Sequence, residues 1–262
     1  MPDIVFLGTS AALPTKDRGY TSLAILDERV RMLVDCGSIV YQAMLRADLD
    51  PANISDLFLT HAHIDHIGGL PSLLECWRLS GRRAPLRIWA LPETMVVVKD
   101  LLKTFEFEIP LPLTYGITFH TLEGDGTCPP FGPVSFDFVL VEHSIPTAGL
   151  RLRFPRFDGS QWTVVYSSDT KPTAALEHFA RGCDLLILEC TFLNNKSVSA
   201  ERVGHMTAGQ AGTLARKAGA GALALVHLGL MDGWNMEEAR KETSEAFGGA
   251  VILPKDGEKI SF

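Results

Sequence analysis

The 262-residue sequence has no Cys-x-x-Cys pair, no run of five or more like charges, no low-complexity tract and no uninterrupted apolar stretch of the about 18–20 residues that a membrane span needs. Its five cysteines (Cys36, Cys76, Cys128, Cys183, Cys190) are odd in number and widely spaced, which excludes a disulfide framework and a thiolate zinc knuckle. Basic residues are also in short supply. With 24 of them against 31 acidic ones, a formal charge of −7, the chain lacks the cationic face through which proteins bind nucleic acid generally. Arg82-Arg83 and Arg151-x-Arg153 read as ordinary solvated surface. The opening MPDIVFLGTS has neither the basic start nor the long apolar run of a secretion signal. The expectation is a complete, cytoplasmic chain in a reducing compartment.

What is present suits a soluble globular protein: 46% apolar and 21% charged residues are enough to build one large core. DIVFLG, SLAIL and RMLVDCG read as an antiparallel meander, followed by a helix over 38–48 capped by Ser38 and a buried strand, DLFLT. A helix from Ile67, the strand LRIWA and a helix over 92–105 with Pro at its first position complete a β-α-β-α run. A second strand-rich block (ITFHTLE, VSFDFVLVEH, GLRLRF, WTVVYSSD) then gives way to alternating helices and strands. The tail GAVILPKDGEKISF reads as two short strands joined by an Asp-Gly turn. The two halves echo each other. This predicts an α/β protein of the αβ/βα four-layer sandwich kind, two β-sheets flanked by helices, in a single domain over 1–262.

Against this background, THAHIDHIGGL (60–70) places His61, His63, Asp65 and His66, four metal-competent groups, within six positions directly after a buried strand. A core that must satisfy every buried imidazole does not tolerate such density without a ligand. Neutral imidazoles with a carboxylate suit Zn(II), Mn(II) or Fe(II). One loop cannot close a metal site alone, and three further polar residues end apolar runs: His143 in LVEHSIP, Asp169 in YSSDT and His227 in LVHLG. Rigid scaffolds display site residues at such strand exits. With the cluster they make enough ligands for two metals sharing Asp169.

The H-x-H-x-D-H pattern, with those later motifs and Asp35 in LVDCG, resembles the metallo-β-lactamase superfamily over nearly the whole chain. The finer resemblance is to its ribonuclease Z-like group, carried by FLGTSAALPT, Glu189 in LECTF and His205 in GHMTAGQAG. The resemblance implies one divalent ion held by His61, His63 and His143, a second held by Asp65, His66 and His227, and Asp169 bridging them. Zinc is the first expectation. Asp35 would stand behind the ligands and accept an imidazole's other N–H. A metal-bridging hydroxide would attack, with Asp65 orienting it, while His205 and Glu189 protonate the leaving group.

Two departures from the group stand out. LECTF lacks the His of the usual H-E-A-T-F, and only 25 residues separate His143 from Asp169, leaving no room for the arm that grips transfer RNA. The expected substrate is therefore a small-molecule or short nucleic-acid phosphodiester, and the group often forms homodimers. Two alternatives stay open: hydrolysis of another bond on the same fold (aryl sulfate, lactone or thioester), and a non-catalytic binding relative.

Overall fold

The computed structural model describes residues 2–107, 113–123, 126–231 and 233–261. Five residues of the apolar FEFEIPLPL segment (108–112), two of the loop at 124–133 and one of the loop at 228–235 lie outside that set. The chain divides into two compact units: Met1–Gly8, Asp17–Glu123 and Lys255–Phe262 form the first, Thr9–Lys16 and Gly124–Pro254 the second.

In the first unit the predicted meander forms: β1 (Asp3–Gly8), β2 (Ser22–Leu26) and β3 (Arg31–Val34) pair antiparallel in sequence. Helix α1 (Val40–Arg46) then carries the chain over to β4 (Asp56–Leu59), which pairs parallel with β3. Helices α2 (Ile64–Ile67) and α3 (Leu70–Leu79) precede β5 (Leu86–Ala90), and α4 (Pro92–Thr104) precedes β6 (Ile117–Thr121). The C-terminal β14 (Lys259–Ser261) joins the far edge, beside β1, and completes a seven-stranded sheet. Residues Leu70, Leu73, Leu74 and Trp77 of α3, spaced one and two turns apart, pack with Leu57, Leu59, Ile88 and Ala90 in one core.

The second unit repeats the plan. An antiparallel run of β7 (Thr127–Phe131), β8 (Val134–Val141), β9 (Thr147–Pro155) and β10 (Gln161–Tyr166) leads into parallel strands. These are β11 (Leu185–Cys190), β12 (Ala222–Leu228) and β13 (Ala250–Ile252), reached through α5 (Ala174–Phe179), α6 (Ser197–Val203), α7 (Ala208–Ala218) and α8 (Met236–Phe247). Thr207 caps α7 in a capping box with Gln210. Two mixed seven-stranded sheets with helices packed on them bear out the expected fold class. No helix among the described residues is long and apolar enough to cross a membrane.

Local reading misses several details, among them Arg82, which is buried, not solvated, with its guanidinium donating to the Ala52, Ile54, Ala84 and Pro85 carbonyls. Helix α1 begins after Ile39, which is left-handed at φ 39°, so Ser38 does not cap it. The helix predicted from Ile67 is two pieces, and the first, α2, already contains Asp65 and His66. The strand β7 forms despite its two prolines, by pairing at the sheet edge, where a missing N–H costs least. Asp256 and Gly257 do turn the chain, but β13 and β14 join different sheets instead of forming a hairpin. Distant partners, β12 and β1, outweigh the local signal there.

The break between α2 and α3 is held against the end of β3. The Cys36 N–H donates to the His66 carbonyl (2.7 Å) and the Gly69 N–H donates to the Cys36 carbonyl (2.8 Å). A Cβ at Gly69 would lie 2.3 Å from the Gly37 carbonyl oxygen, and one at Gly37 would lie 2.1 Å from the Asp65 carbonyl oxygen. Backbone atoms cannot move aside as a flexible side chain does. Gly69→Ala is expected to destabilise the protein by about 1–3 kcal/mol in denaturant unfolding. Gly116→Ala, where a Cβ meets nothing within 4 Å, serves as the neutral control.

Candidate metal centre

Parallel pairing decides where the first group of polar residues falls. Because β3 and β4 run side by side in the same direction, Asp35 and Thr60, just past their C-terminal ends, become neighbours. Asp35 is fully buried and sits in the left-handed region at φ 60°, a conformation that a non-glycine residue holds only when its surroundings fix it. Its carboxylate accepts the Thr60 backbone N–H (2.8 Å), the Thr60 hydroxyl (2.9 Å) and His66 Nδ1 (2.8 Å). Burial pushes the Asp35 carboxyl up, opposed chiefly by His66.

These bonds fix the imidazoles. An ionised carboxylate only accepts, so His66 carries its proton on Nδ1 and turns the lone pair of Nε2 outward. The Thr60 hydroxyl has one proton and gives it to Asp35. Its contact with His61 Nδ1 (2.9 Å) is then a bond donated by the imidazole, and His61 also presents an Nε2 lone pair. His61 Nε2 lies 3.0 Å from His63 Nδ1, close to the about 3.3 Å edge of a tetrahedron with metal–nitrogen bonds of about 2.0–2.1 Å. His66 Nε2 faces Asp65 Oδ2 at 3.6 Å.

In the second unit, β8, β10, β11 and β12 all point the same way, so their C-terminal ends deliver His143, Asp169, Glu189 and His227 to one edge of the sheet. A bulge helps. Glu189 pairs with Val226 and Cys190 with Leu228, leaving His227 as the extra residue, at φ 51°. Ser168, beside Asp169, is also left-handed at φ 57°.

Here the orienting carboxylate is Glu189, again fully buried. It accepts the Thr170 N–H (2.8 Å), the Thr191 hydroxyl (2.6 Å) and His205 Nδ1 (2.8 Å). With its only proton committed to Glu189, Thr191 Oγ1 accepts from His227 Nδ1 (2.8 Å), and the His227 Nε2 lone pair is aimed at Asp169 Oδ2, 3.2 Å away. His143 donates Nδ1–H to the Gly204 carbonyl (2.8 Å), which turns its Nε2 toward the same Asp169 oxygen at 4.0 Å. Burial pushes the His143 imidazole below its ordinary value, opposed first by Asp169.

An imidazole nitrogen this close to a carboxylate oxygen needs a positive charge between them, either a proton on the ring or a bound cation. Three histidines, His66, His143 and His227, make this arrangement with Asp65 or Asp169. The donor set therefore fits a divalent cation, and the scaffold oxygens on each Nδ1 are the partners that orient metal-binding histidines. In the second unit, ligand atoms of Asp169, His205 and His227 all lie within 4.8 Å of one another.

Within each unit, the structure brings predicted site residues together. His61, His63, Asp65 and His66 gather with Asp35 in the first, and His143, Asp169, Glu189, His205 and His227 gather in the second. Sequence reasoning missed Thr60 and Thr191. Each stands next to or two places after a residue it did single out, and each links a buried carboxylate to an imidazole. Replacing the Thr191 hydroxyl strips His227 Nδ1–H of its acceptor. Thr191→Val is expected to weaken metal affinity about 10–100-fold in a chelator competition, with Thr191→Ser close to wild type.

A family model described as the beta-lactamase superfamily domain matches residues 30–228, and the chain belongs to that superfamily. Within it, the chain is ribonuclease Z-like. It is 30% identical to the ribonuclease Z of Halorubrum lacusprofundi over 301 positions, covering 98% of this chain and 96% of that one. In structure it is similar to the metallo-beta-lactamase fold protein YhfI from Bacillus subtilis, with a TM-score of 0.82 and 24% identity over 99% of this chain and 98% of that one. It is also similar to the human tRNase Z, short form, with a TM-score of 0.78 and 23% identity over 99% and 98% of the two chains. Because 98% of 262 residues is about 257, the 301-position alignment leaves about 44 positions of the Halorubrum protein without a counterpart here. The protein is a metal-dependent hydrolase.

Proposed function

We propose that the two units act as one domain, a dimetal phosphodiesterase for small or short nucleic-acid diesters. Its first ion would be held by His61, His63 and His143, its second by Asp65, His66 and His227, with Asp169 shared. Membership of the superfamily supports this pairing of the two ligand groups. The observation that carries it is the set of imidazole lone pairs facing Asp65 and Asp169 at 3.2–4.0 Å, a pattern that calls for cations. Imidazole and carboxylate donors suit zinc first, with Mn(II) and Fe(II) as alternatives.

Divalent cations bound there lower the pKa of a water molecule and neutralise the charge that builds on the attacked phosphoryl group. The chain's own residues supply the rest. Asp65 takes the proton of the attacking water as its oxygen bonds to phosphorus. The bond from phosphorus to the leaving oxygen breaks, and His205 protonates that oxygen. Glu189 prepares His205 for this role, since a carboxylate on Nδ1 orients the ring and makes it more basic, with Nε2 presented to the substrate.

Metal analysis followed by an assay with bis(4-nitrophenyl) phosphate tests the reading. Two equivalents of metal with diesterase turnover are expected. Turnover restricted to aryl sulfates or carboxylic esters would replace it with a different hydrolase, and a metal-loaded protein inert on all of them would make it a binding relative.

A further inference from the structure

Helix α6 ends on Gly204, in the left-handed region at φ 81°, and the His205 N–H donates back to the Ala200 carbonyl (3.0 Å) to close the turn. Helix α7 ends the same way, with Gly219 at φ 67° and the Ala220 N–H on the Ala215 carbonyl (3.1 Å). What the two turns face differs. A Cβ at Gly219 meets nothing within 4 Å, whereas one at Gly204 would lie 3.0 Å from His143 Nδ1 and 3.2 Å from the Ser144 backbone nitrogen. The turn that closes α6 is packed directly onto a candidate metal ligand.

Gly204 also acts through its carbonyl, which accepts the His143 Nδ1–H at 2.8 Å. The next residue, His205, sets its ring 4.9 Å from that of His143 and its own Nδ1 2.8 Å from Glu189 Oε1. One peptide unit, from Gly204 to His205, therefore joins the residue proposed to hold an ion to the residue proposed to protonate the leaving oxygen. Lys171, two positions after Asp169, braces the same corner from outside. It donates to Glu201 of α6 (2.8 Å) and to Glu142 (3.3 Å), the neighbour of His143. Both glutamates are exposed, so these pairs contribute little, and the peptide is the main connection.

We infer that Gly204 is a positioning residue that couples cation binding at His143 to the placement of His205. The roles of the two histidines rest on the phosphodiesterase reading. A cation on His143 Nε2 leaves Nδ1 as the proton-bearing nitrogen, so occupancy holds the ring as a donor to Gly204. Linkage makes the effect mutual: the factor by which the carbonyl raises cation affinity is the factor by which the cation stabilises the turn that carries His205. Partners that orient a ligand in this way are worth about 10–100-fold in metal affinity.

Amide hydrogen exchange of the wild type, followed residue by residue by nuclear magnetic resonance with and without saturating zinc, tests the coupling without any variant. The His205 amide is expected to exchange about 10–100-fold more slowly in the zinc-loaded protein. The Ala220 amide, in the same kind of turn, should be nearly unchanged. Equal slowing of both, or no slowing at His205, overturns the inference. Gly204→Ala and Gly219→Ala approach it from the other side, since both put a methyl group at a left-handed position and strain the backbone alike. Only Gly204→Ala pushes on His143. It should weaken zinc about 10–100-fold in a chelator competition, and at saturating zinc lose more turnover on alkyl diesters than on bis(4-nitrophenyl) phosphate, because His205 is displaced. Zinc affinity equal to that of Gly219→Ala, or equal losses on the two substrates, overturns the inference as well. Wild-type turnover keeps the two readings apart: an active diesterase without the exchange difference loses only the role of Gly204, and a protein that shows the difference but cleaves no diester loses only the phosphodiesterase reading.

Discussion

His205→Ala is expected to lower turnover of diesters with alkyl leaving groups by about 10²–10⁴-fold, the contribution of a general acid, while metal content stays at the wild-type level. The same variant should lose far less on bis(4-nitrophenyl) phosphate, because 4-nitrophenolate departs without a proton. Metal analysis is essential to the comparison. Ligand atoms of His205, Asp169 and His227 lie within 4.8 Å of one another, a spacing that would also suit a ligand. What argues for the acid role is Glu189: His205 is bound to the same buried carboxylate whose other oxygen holds Thr191. Loss of metal together with activity, or equal losses on both substrates, would reassign His205 to a structural or ligand role.

The second large effect is expected at Asp169. In the metal-free protein its carboxylate faces two imidazole lone pairs, those of His227 at 3.2 Å and His143 at 4.0 Å. Asp169→Asn keeps the shape but replaces repulsion with an amide donor that can bond to one of them. Metal content should therefore fall and diesterase turnover should drop by at least about 10²–10³-fold, the cost of removing one electrostatic contact to developing charge. The metal-free variant should nonetheless unfold at the same temperature as metal-free wild type or higher. A variant that lost activity and also unfolded earlier without metal would show that Asp169 holds the fold instead of a cation.

The residues of the candidate site were legible in the sequence and their supports were not, and the reason is physical. His61, His63, Asp65 and His66 form one local motif, and His143, Asp169 and His227 each end an apolar run, so their placement follows from strand direction alone. Thr60 and Thr191 act through hydrogen bonds from their hydroxyls to carboxylates 25 and two positions away, and no periodicity encodes such a bond. Thr191 was visible in LECTF only as a motif letter. The strands were legible because their burial is continuous, as in DLFL and LLILEC. The tail was not: its Asp-Gly turn is real, but the partners of β13 and β14 lie about 30 and more than 250 residues away.

The left-handed residues Asp35, Ser168 and His227 all stand at strand ends beside the ligands, each holding about 1–3 kcal/mol of backbone strain. With the proposed centre, a cation between the imidazoles and Asp65 or Asp169 would relax the electrostatic part of that tension. Stability then becomes a gauge of metal supply. At a free metal concentration a hundred times the dissociation constant, a single site adds about 2.7 kcal/mol. A cell starved of the metal would hold a protein more open to proteolysis, so its abundance, and not only its activity, would follow the available ion.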